Sequence, residues 1–252
     1  MVKVGIIGGS GLDDAKILEG AREIVVTTSC GRPNSPLTMG AIEGREVVIL
    51  ARHGRGHVYP PTEVNYRANV LALKDQGCTH VLATTACGSL REEIRRGDFV
   101  VLDQFIDFTR RRPLSLFERF EFGAENAKHT AMADPFDEGL RQALIGAAKE
   151  LGLRFHERGT VITIEGSRFS TRAESRMFRM WGADVINMSV APEAIFANEA
   201  GLPYAAVAMA TDYDSWKTDE PPADWGLILE VFNQNVENVK KLLLKTLPRV
   251  GA

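Results

Sequence analysis

Two carboxylates, Asp212 and Asp214, stand two residues apart at the close of an apolar run, Tyr204-Ala-Ala-Val-Ala-Met-Ala210. The run reads as a buried strand, and in an open α/β sheet ligands sit beyond the carboxyl ends of the strands. Acids placed there can accept hydrogen bonds from the polar edge of a ligand, or give it a proton. They can equally cap a following helix or pair with a base.

Other chemistry-bearing sets fall at the ends of other apolar runs. Gly8-Gly9-Ser10-Gly11 follows the run 2–7. A glycine turn after a strand leaves backbone N–H groups free for an anion, with the Ser10 hydroxyl as a further donor. It is not a dinucleotide fingerprint, because the sixth position counted from Gly9 is Asp14, and no Walker Gly-Lys-Ser/Thr follows. Ala51-Arg52-His53-Gly54-Arg55-Gly56-His57 supplies a guanidinium fork suited to phosphate oxygens, with His53 as a donor beside it. Its two glycines disfavour a helix, so the His53-x3-His57 spacing is a poor metal pair. Thr84-Thr85-Ala86-Cys87-Gly88-Ser89 offers a small, hydroxylic ledge, and Met188-Ser189 offers an adaptable apolar group beside another hydroxyl. Phe169-Ser170, in Glu165-Gly-Ser-Arg-Phe-Ser170, can stack on a planar ligand, while Glu165 and Arg168 can pair with each other. Read alone, each set also fits a tight turn, a solvated basic loop, a local Thr–backbone bond or plain core packing.

Their joint placement carries more weight, because in one parallel sheet these strand ends converge. Gly/Ser, Arg/His, Thr/Ala and Met/Ser sets suit an anion such as phosphate. The acids and Phe169 suit a nitrogen heterocycle. A site that holds phosphate beside a base and a sugar suggests transfer of a glycosyl group to phosphate.

The elements that must position these residues alternate along the chain. Strands are expected over 2–7, 46–51, 80–86, 99–105, 160–164, 185–189 and 204–211. A helix is expected from Pro60-Pro61-Thr62 through Gln76, stopped by Gly77. Leu140, Leu144, Ala147 and Leu151 mark one helical face, with Gly152 as the stop. Thr171 and Glu174 form a Thr-x-x-Glu capping box for a helix ending near Gly182. A short helix follows over 192–200, and a long amphipathic one over 226–247. This alternation predicts an α/β fold in one domain, 1–252, with a central mixed, largely parallel sheet flanked by helices.

Composition excludes other classes. The 252 residues are 44% hydrophobic and 25% charged, ordinary for a globular chain, with a formal net charge of −3 that gives no field suited to nucleic acid or an anionic membrane. No apolar run approaches the roughly 20 residues that span a bilayer. No leader is expected, since the N-terminus passes straight into a strand-turn pattern. Three unclustered cysteines, Cys30, Cys78 and Cys87, point to a reduced cytoplasm and read as buried free thiols.

The chain resembles the purine nucleoside phosphorylase family, in its branch acting on 5′-methylthioadenosine. The resemblance rests on Ile-Ile-Gly-Gly-Ser-Gly-Leu, Ala-Arg-His-Gly-Arg-Gly-His, Val-Asn-Tyr-Arg-Ala-Asn, Thr-Thr-Ala-Cys-Gly-Ser-Leu-Arg, Gly-Asp-Phe-Val-Val-Leu-Asp-Gln-Phe-Ile-Asp, Thr-Ile-Glu-Gly-Ser-Arg-Phe-Ser-Thr-Arg-Ala-Glu-Ser and Ala-Thr-Asp-Tyr-Asp. These are long, specific motifs, collinear from Val4 to about Leu247.

The resemblance implies phosphorolysis of methylthioadenosine to adenine and 5-methylthioribose 1-phosphate, a step of purine and methionine salvage. It implies a homotrimer with sites near subunit interfaces, inorganic phosphate as co-substrate, and no metal or organic cofactor. Ser10, Arg52, His53, Thr85, Ala86 and Ser189 would hold phosphate, and Met188 would lie under the ribose. Phe169 would line the base pocket, with Ser170 helping to set purine preference. Asp212 and Asp214 would meet the base at N7 and the 6-amino group, the pair supplying a proton to the leaving adenine. His57 would lie near the 5′ side, and His129, in Lys128-His-Thr-Ala-Met-Ala-Asp-Pro135, would be lent by the neighbouring subunit. Ser167 replaces a usual Pro, and Trp225 falls near a position that is commonly smaller and aliphatic in the family and touches the 5′ group. A 6-oxopurine or methylthioinosine phosphorylase is the nearer alternative, and a non-catalytic nucleoside-binding protein the distant one.

Overall fold

The computed structural model describes residues 2–8, 18–119, 127–220 and 224–251. Within them, eleven strands form one sheet. Its centre is parallel: β1 (Lys3–Gly8) lies between β4 (Arg45–Ala51) and β5 (His80–Ser89), and β5 also pairs with β11 (Tyr204–Tyr213). Beyond β4, β3 (Leu37–Ile42) and β2 (Glu19–Ile24) add antiparallel. The last residues of β5 take β10 (Val185–Asn187) antiparallel, and β9 (Thr160–Ile164) and β7 (Gln104–Phe108) follow it in parallel. β11 carries β6 (Phe99–Val101) antiparallel, and β8 (Phe155–His156) pairs with β6. The sheet is therefore mixed and largely parallel at its centre, as the alternation of elements predicts.

Strand residues point alternately to opposite faces, so a strand buried on both faces must be apolar throughout. β11 shows this. Tyr204, Ala206, Ala208 and Ala210 enter one core, with Val70 and Leu73 of α1 (Tyr66–Asp75) and Ala194 and Phe196 of α4 (Val190–Glu199). Ala205, Val207 and Met209 enter the other, with Leu140 and Leu144 of α2 (Glu138–Glu150) and Leu242 and Leu243 of α5 (Trp225–Thr246). α3 (Arg172–Met180) lays Phe178 on Ile162, Ile164 and Ile186, forming a smaller third cluster.

Several expectations are corrected. The helix expected from Pro60 begins only at Tyr66. The prolines open a single 3-10 turn, Pro61–Glu63, and Asn65 caps α1 by accepting from Ala68 N at 3.1 Å. The strand expected over 99–105 is two strands, because the chain changes partner between neighbours: Leu102 N donates to Ala206 O, Asp103 N to Gly159 O. β5 does not end at a Cys-Gly-Ser turn but runs through it to Ser89. Gly88 lets it pass close to β10 and the acids, since a Cβ would lie 3.0 Å from Ile186 Cγ2 and 3.4 Å from Asp212 Oδ2. β2, β3 and β8 were not anticipated. β2 is an edge strand, Glu-Gly-Ala-Arg-Glu-Ile, exposed along most of its length, so it carries no apolar alternation.

The Thr171–Glu174 capping box is present, each side chain answering the other's backbone N–H. Thr171→Ala should lower stability by about 1 kcal/mol. In a chain of this size that is a fall in melting temperature of about 2–4 °C, readable by thermal denaturation.

Candidate active site

The carboxyl ends of β4, β5, β10 and β11 open into one cavity of about 170 Å³. It gathers Arg52, His53, Thr85, Ala86, Met188 and Ser189 with Phe169, Ser170, Asp212 and Asp214, and with His57 and Trp225. Ser10 lies outside the described residues. Gly8, the last residue of β1, stands against Arg52, whose backbone N donates to Gly8 O at 3.0 Å. His129 is exposed and does not line the cavity of its own chain.

One end of the cavity is built for an anion. Arg52 is buried; its Nη1 donates to Thr84 O at 2.9 Å, and its Nε and Nη2 donate to the two oxygens of Glu193. The Glu193 partnership raises its already high pKa against the burial that opposes it, so the guanidinium is charged at every working pH. The Ser189 and Thr85 hydroxyls stand 3.4 Å apart. Ser189 is the N-cap residue of α4 and makes no cap bond with its side chain, so the start of that helix faces the same end. Thr163 and Asn187 pin it beneath: Thr163 Oγ1 accepts from Ala191 N at 3.0 Å and donates to Asn187 Oδ1 at 2.8 Å, and Asn187 Nδ2 donates to Thr85 Oγ1 at 3.3 Å. His53 Nδ1 lies 2.9 Å from Tyr59 O. A carbonyl only accepts, so Nδ1 carries the hydrogen and the neutral ring has its lone pair at Nε2. Burial, with Arg52 and His57 nearby, lowers its pKa to about 3. His57 stacks on it at 4.2 Å between ring centroids.

The other end is acidic. The register of β11 against β5 slips between Ala210 and Asp212, leaving Thr211 as the extra residue of a bulge. Bulges re-aim side chains and recur beside active sites. Burial raises the Asp212 pKa to about 7, the Thr211 hydrogen bond opposes this, and the Asp214 charge adds to it. Thr211 Oγ1 lies 2.8 Å from Asp212 Oδ1 and 3.2 Å from Cys87 O. Burial raises Asp214 too, but donors hold it as an acceptor: Ser170 Oγ at 2.5 Å, the Ser175 hydroxyl and the Ser215 N–H.

Between these ends lie Met188 and an apolar strip. Met188 O accepts from Arg112 Nη1 at 2.7 Å and from the Tyr66 hydroxyl at 3.2 Å, which fixes the turn between β10 and α4. Trp225 is half exposed, with its ring 5.5 Å from His57. Ile228, Leu229 and Phe232 continue the strip. The expected Glu165–Arg168 pair is not formed. Glu165 holds Arg112, Thr62 and the N–H groups of Arg110 and Arg111, while Arg168 pairs with Glu174. Sequence reasoning missed Glu193, Arg112, Asn187 and the Ile228-Leu229-Phe232 strip. Only the strip left a signal, the i, i+3, i+4, i+7 spacing from Trp225.

The model of the Phosphorylase superfamily matches residues 3–248 of the chain. The chain is 52% identical to S-methyl-5′-thioadenosine phosphorylase of Xenopus tropicalis, covering 100% of this chain and 90% of that one. It is 51% identical to the enzyme of the same name from Danio rerio, over 99% of this chain and 89% of that one. In structure it is similar to methylthioadenosine phosphorylase from Schistosoma mansoni in complex with adenine, with a TM-score of 0.92 and 43% identity, covering 100% of this chain and 92% of that one. A mutant of the Schistosoma mansoni adenosine/methylthioadenosine phosphorylase in complex with methylthioadenosine matches with a TM-score of 0.91 and 42% identity, at the same coverage.

An acid whose pKa is raised by folding keeps a proton that the unfolded chain has released. Its folded state is therefore penalised increasingly as pH rises from about 4, the unfolded value, to about 7. Asp212→Asn should raise the melting temperature, and by more at pH 8 than at pH 5. Thermal scans at the two values check this, and a larger gain at pH 5 contradicts the protonated Asp212.

Proposed function

The chain belongs to the phosphorylase superfamily, and we infer that it is a pentosyltransferase that cleaves S-methyl-5′-thioadenosine with phosphate, giving adenine and 5-methylthioribose 1-phosphate. One observation carries the reading of its own site: a buried acid pair, one member protonated near neutrality, shares a cavity with a buried arginine and the start of a helix.

In this reading phosphate lies against Arg52, Ser189, Thr85, Ala86 and the start of α4, with Ser10 as a further donor. Neutral His53 takes the hydroxyl of hydrogenphosphate at Nε2. The ribose rests on Met188, the base lies by Phe169, and the 5′-methylthio group meets Trp225 and His57. The C1′–N9 bond breaks through a cation-like sugar, as in other glycosyl transfers. The bonding pair leaves with adenine, Asp212 gives its proton to N7, and a phosphate oxygen bonds to C1′ from the opposite face. Asp214, held by Ser170, accepts from the 6-amino N–H and repels a 6-keto oxygen. A preorganised clamp on the nucleophile and a placed acid on the leaving group supply the rate. No step calls for a metal or organic cofactor.

The assembly in this reading is a homotrimer, in which His129 completes the neighbour's site. Exposed Val58 and Tyr59, just past the Arg52–His57 loop, and Leu114 are apolar surface that a subunit contact would cover. The free thiols, buried at Cys78 and Cys87 but only half-buried at Cys30, fit a reducing cytoplasm, and the products adenine and 5-methylthioribose 1-phosphate fit purine and methionine salvage. Cell fractionation that finds the native protein outside the cytoplasm rejects that placement.

Free adenine, followed by its ultraviolet absorbance, should appear from methylthioadenosine only when phosphate is present, and inosine should react more slowly at equal enzyme. Asp212→Asn should lower turnover by about 10²–10⁴-fold, the range of a placed general acid. The wild-type kcat/KM should fall as pH rises through about 7, where Asp212 loses its proton. Near-normal turnover in the variant rejects the acid role. A monomeric mass in sedimentation equilibrium, with full activity, rejects the trimer.

A further inference from the structure

Beneath the anion end, three elements converge on a buried carboxylate that the reaction itself does not use. Arg52 directly follows β4, Glu193 lies in the first turn of α4, and Tyr204 opens β11. Arg52 Nε donates to Glu193 Oε1, Nη2 donates to Oε2 at 2.9 Å, and the Tyr204 hydroxyl donates to the same Oε2 at 3.0 Å. The Arg52 and Glu193 side chains are 2% and 0% exposed.

A guanidinium has five N–H donors in a rigid plane. Glu193 takes two of them and Thr84 O takes one on Nη1. One N–H remains on each terminal nitrogen, on a side chain that lines the cavity. The carboxylate also cancels the arginine's charge, so an anion there meets a nearly neutral pair rather than a free cation. Held by Glu193 and Thr84, the plane cannot turn, and its remaining donors keep one direction.

We propose that Glu193, steadied by the Tyr204 hydroxyl, is a positioning residue for phosphate: it orients Arg52 at the cost of the arginine's charge. The proposal rests on the phosphorolysis reading. It separates two modes of action of Arg52. If Arg52 worked as a point charge, removing the Glu193 charge would tighten phosphate. If it works as an aimed fork, the same change loosens phosphate and leaves the nucleoside alone.

The test is steady-state phosphorolysis of methylthioadenosine by the full chain, varying phosphate and nucleoside separately. Glu193→Gln keeps the size but replaces one acceptor oxygen with an N–H₂ group facing the arginine. It should raise the KM for phosphate by about tenfold or more, the scale of a lost hydrogen bond to a charged group, with the KM for methylthioadenosine within about twofold. Tyr204→Phe removes only the supporting donor and should raise the phosphate KM by about threefold, with the same selectivity. A lowered or unchanged phosphate KM in Glu193→Gln overturns the proposal, as does a parallel rise in both KM values. If Glu193→Gln does not fold, Tyr204→Phe decides, and an unchanged phosphate KM there overturns it. Wild-type protein that releases no adenine in the presence of phosphate refutes the phosphorolysis reading instead, so the two failures are distinct.

Discussion

The parallel pairing of β5 with β11 is the constraint on which the rest of the site depends. It runs from Tyr204 against Val81 to Tyr213 against Ser89, with one slip before Asp212. Its first half is apolar on both faces and belongs to the two cores. Near its end, Thr84 to Gly88 of one strand and Thr211 and Asp212 of the other, with Asp214 just beyond, line the cavity. Because both strands leave the core at the same edge, the hydroxylic ledge of one and the acids of the other must face a common space. Gly88 permits this: any side chain there would press on Ile186 of β10 and crowd the acids.

The two ends of that space meet the cost of burying charge in opposite ways. At the anion end a full positive charge is kept, and a buried carboxylate balances it; breaking such a pair leaves an uncompensated ion, which is far costlier than the pair itself. At the acid end, no guanidinium or ammonium among the described residues hydrogen-bonds Asp212, and the Arg96 charge that favours its ionised form is the least of the influences on it. Burial therefore acts through protonation, and Asp212 holds its proton near neutral pH. The same low dielectric makes one end a fixed set of donors and the other a source of a proton. Phosphorolysis needs that asymmetry, because negative charge arrives as phosphate and departs as purine.

Most of this was legible in the residues wherever an element advertises itself locally. The apolar runs of β1, β4, β5, β9 and β11, the Thr171–Glu174 box and the α2 face were all readable, and the site sets fall at their ends. What was not legible is set by partners distant in sequence. Glu193 looks like a surface acid in the first turn of a helix, and only the fold lays it on Arg52. Arg112 and Glu165 meet across a loop, so the nearer Glu165–Arg168 pairing was the natural but wrong reading. β2 has no alternation because it lies exposed at the sheet's edge. The split of 99–105 depends on which strand each neighbour hydrogen-bonds, a property of topology and not of composition.

The apolar strip at the far side of the cavity bears on selectivity. Trp225, Ile228, Leu229 and Phe232 present a helical face with no hydrogen-bonding group except the indole N–H, beside the His57 ring. Such a surface suits a thioether, and it leaves a 5′-hydroxyl with few partners to replace its water. Yet an apolar pocket rejects an added hydroxyl only by about 10²-fold, because no polar group of the protein is left unpaired when it enters. In the phosphorolysis reading the base end is different: Asp214 is the acceptor for the 6-amino group, and a 6-keto oxygen leaves it facing a lone pair in low dielectric. Discrimination at the purine edge should therefore be steep and discrimination at the 5′ end shallow. In that reading a chain with this cavity selects its substrate first by the base and only then by the sulfur.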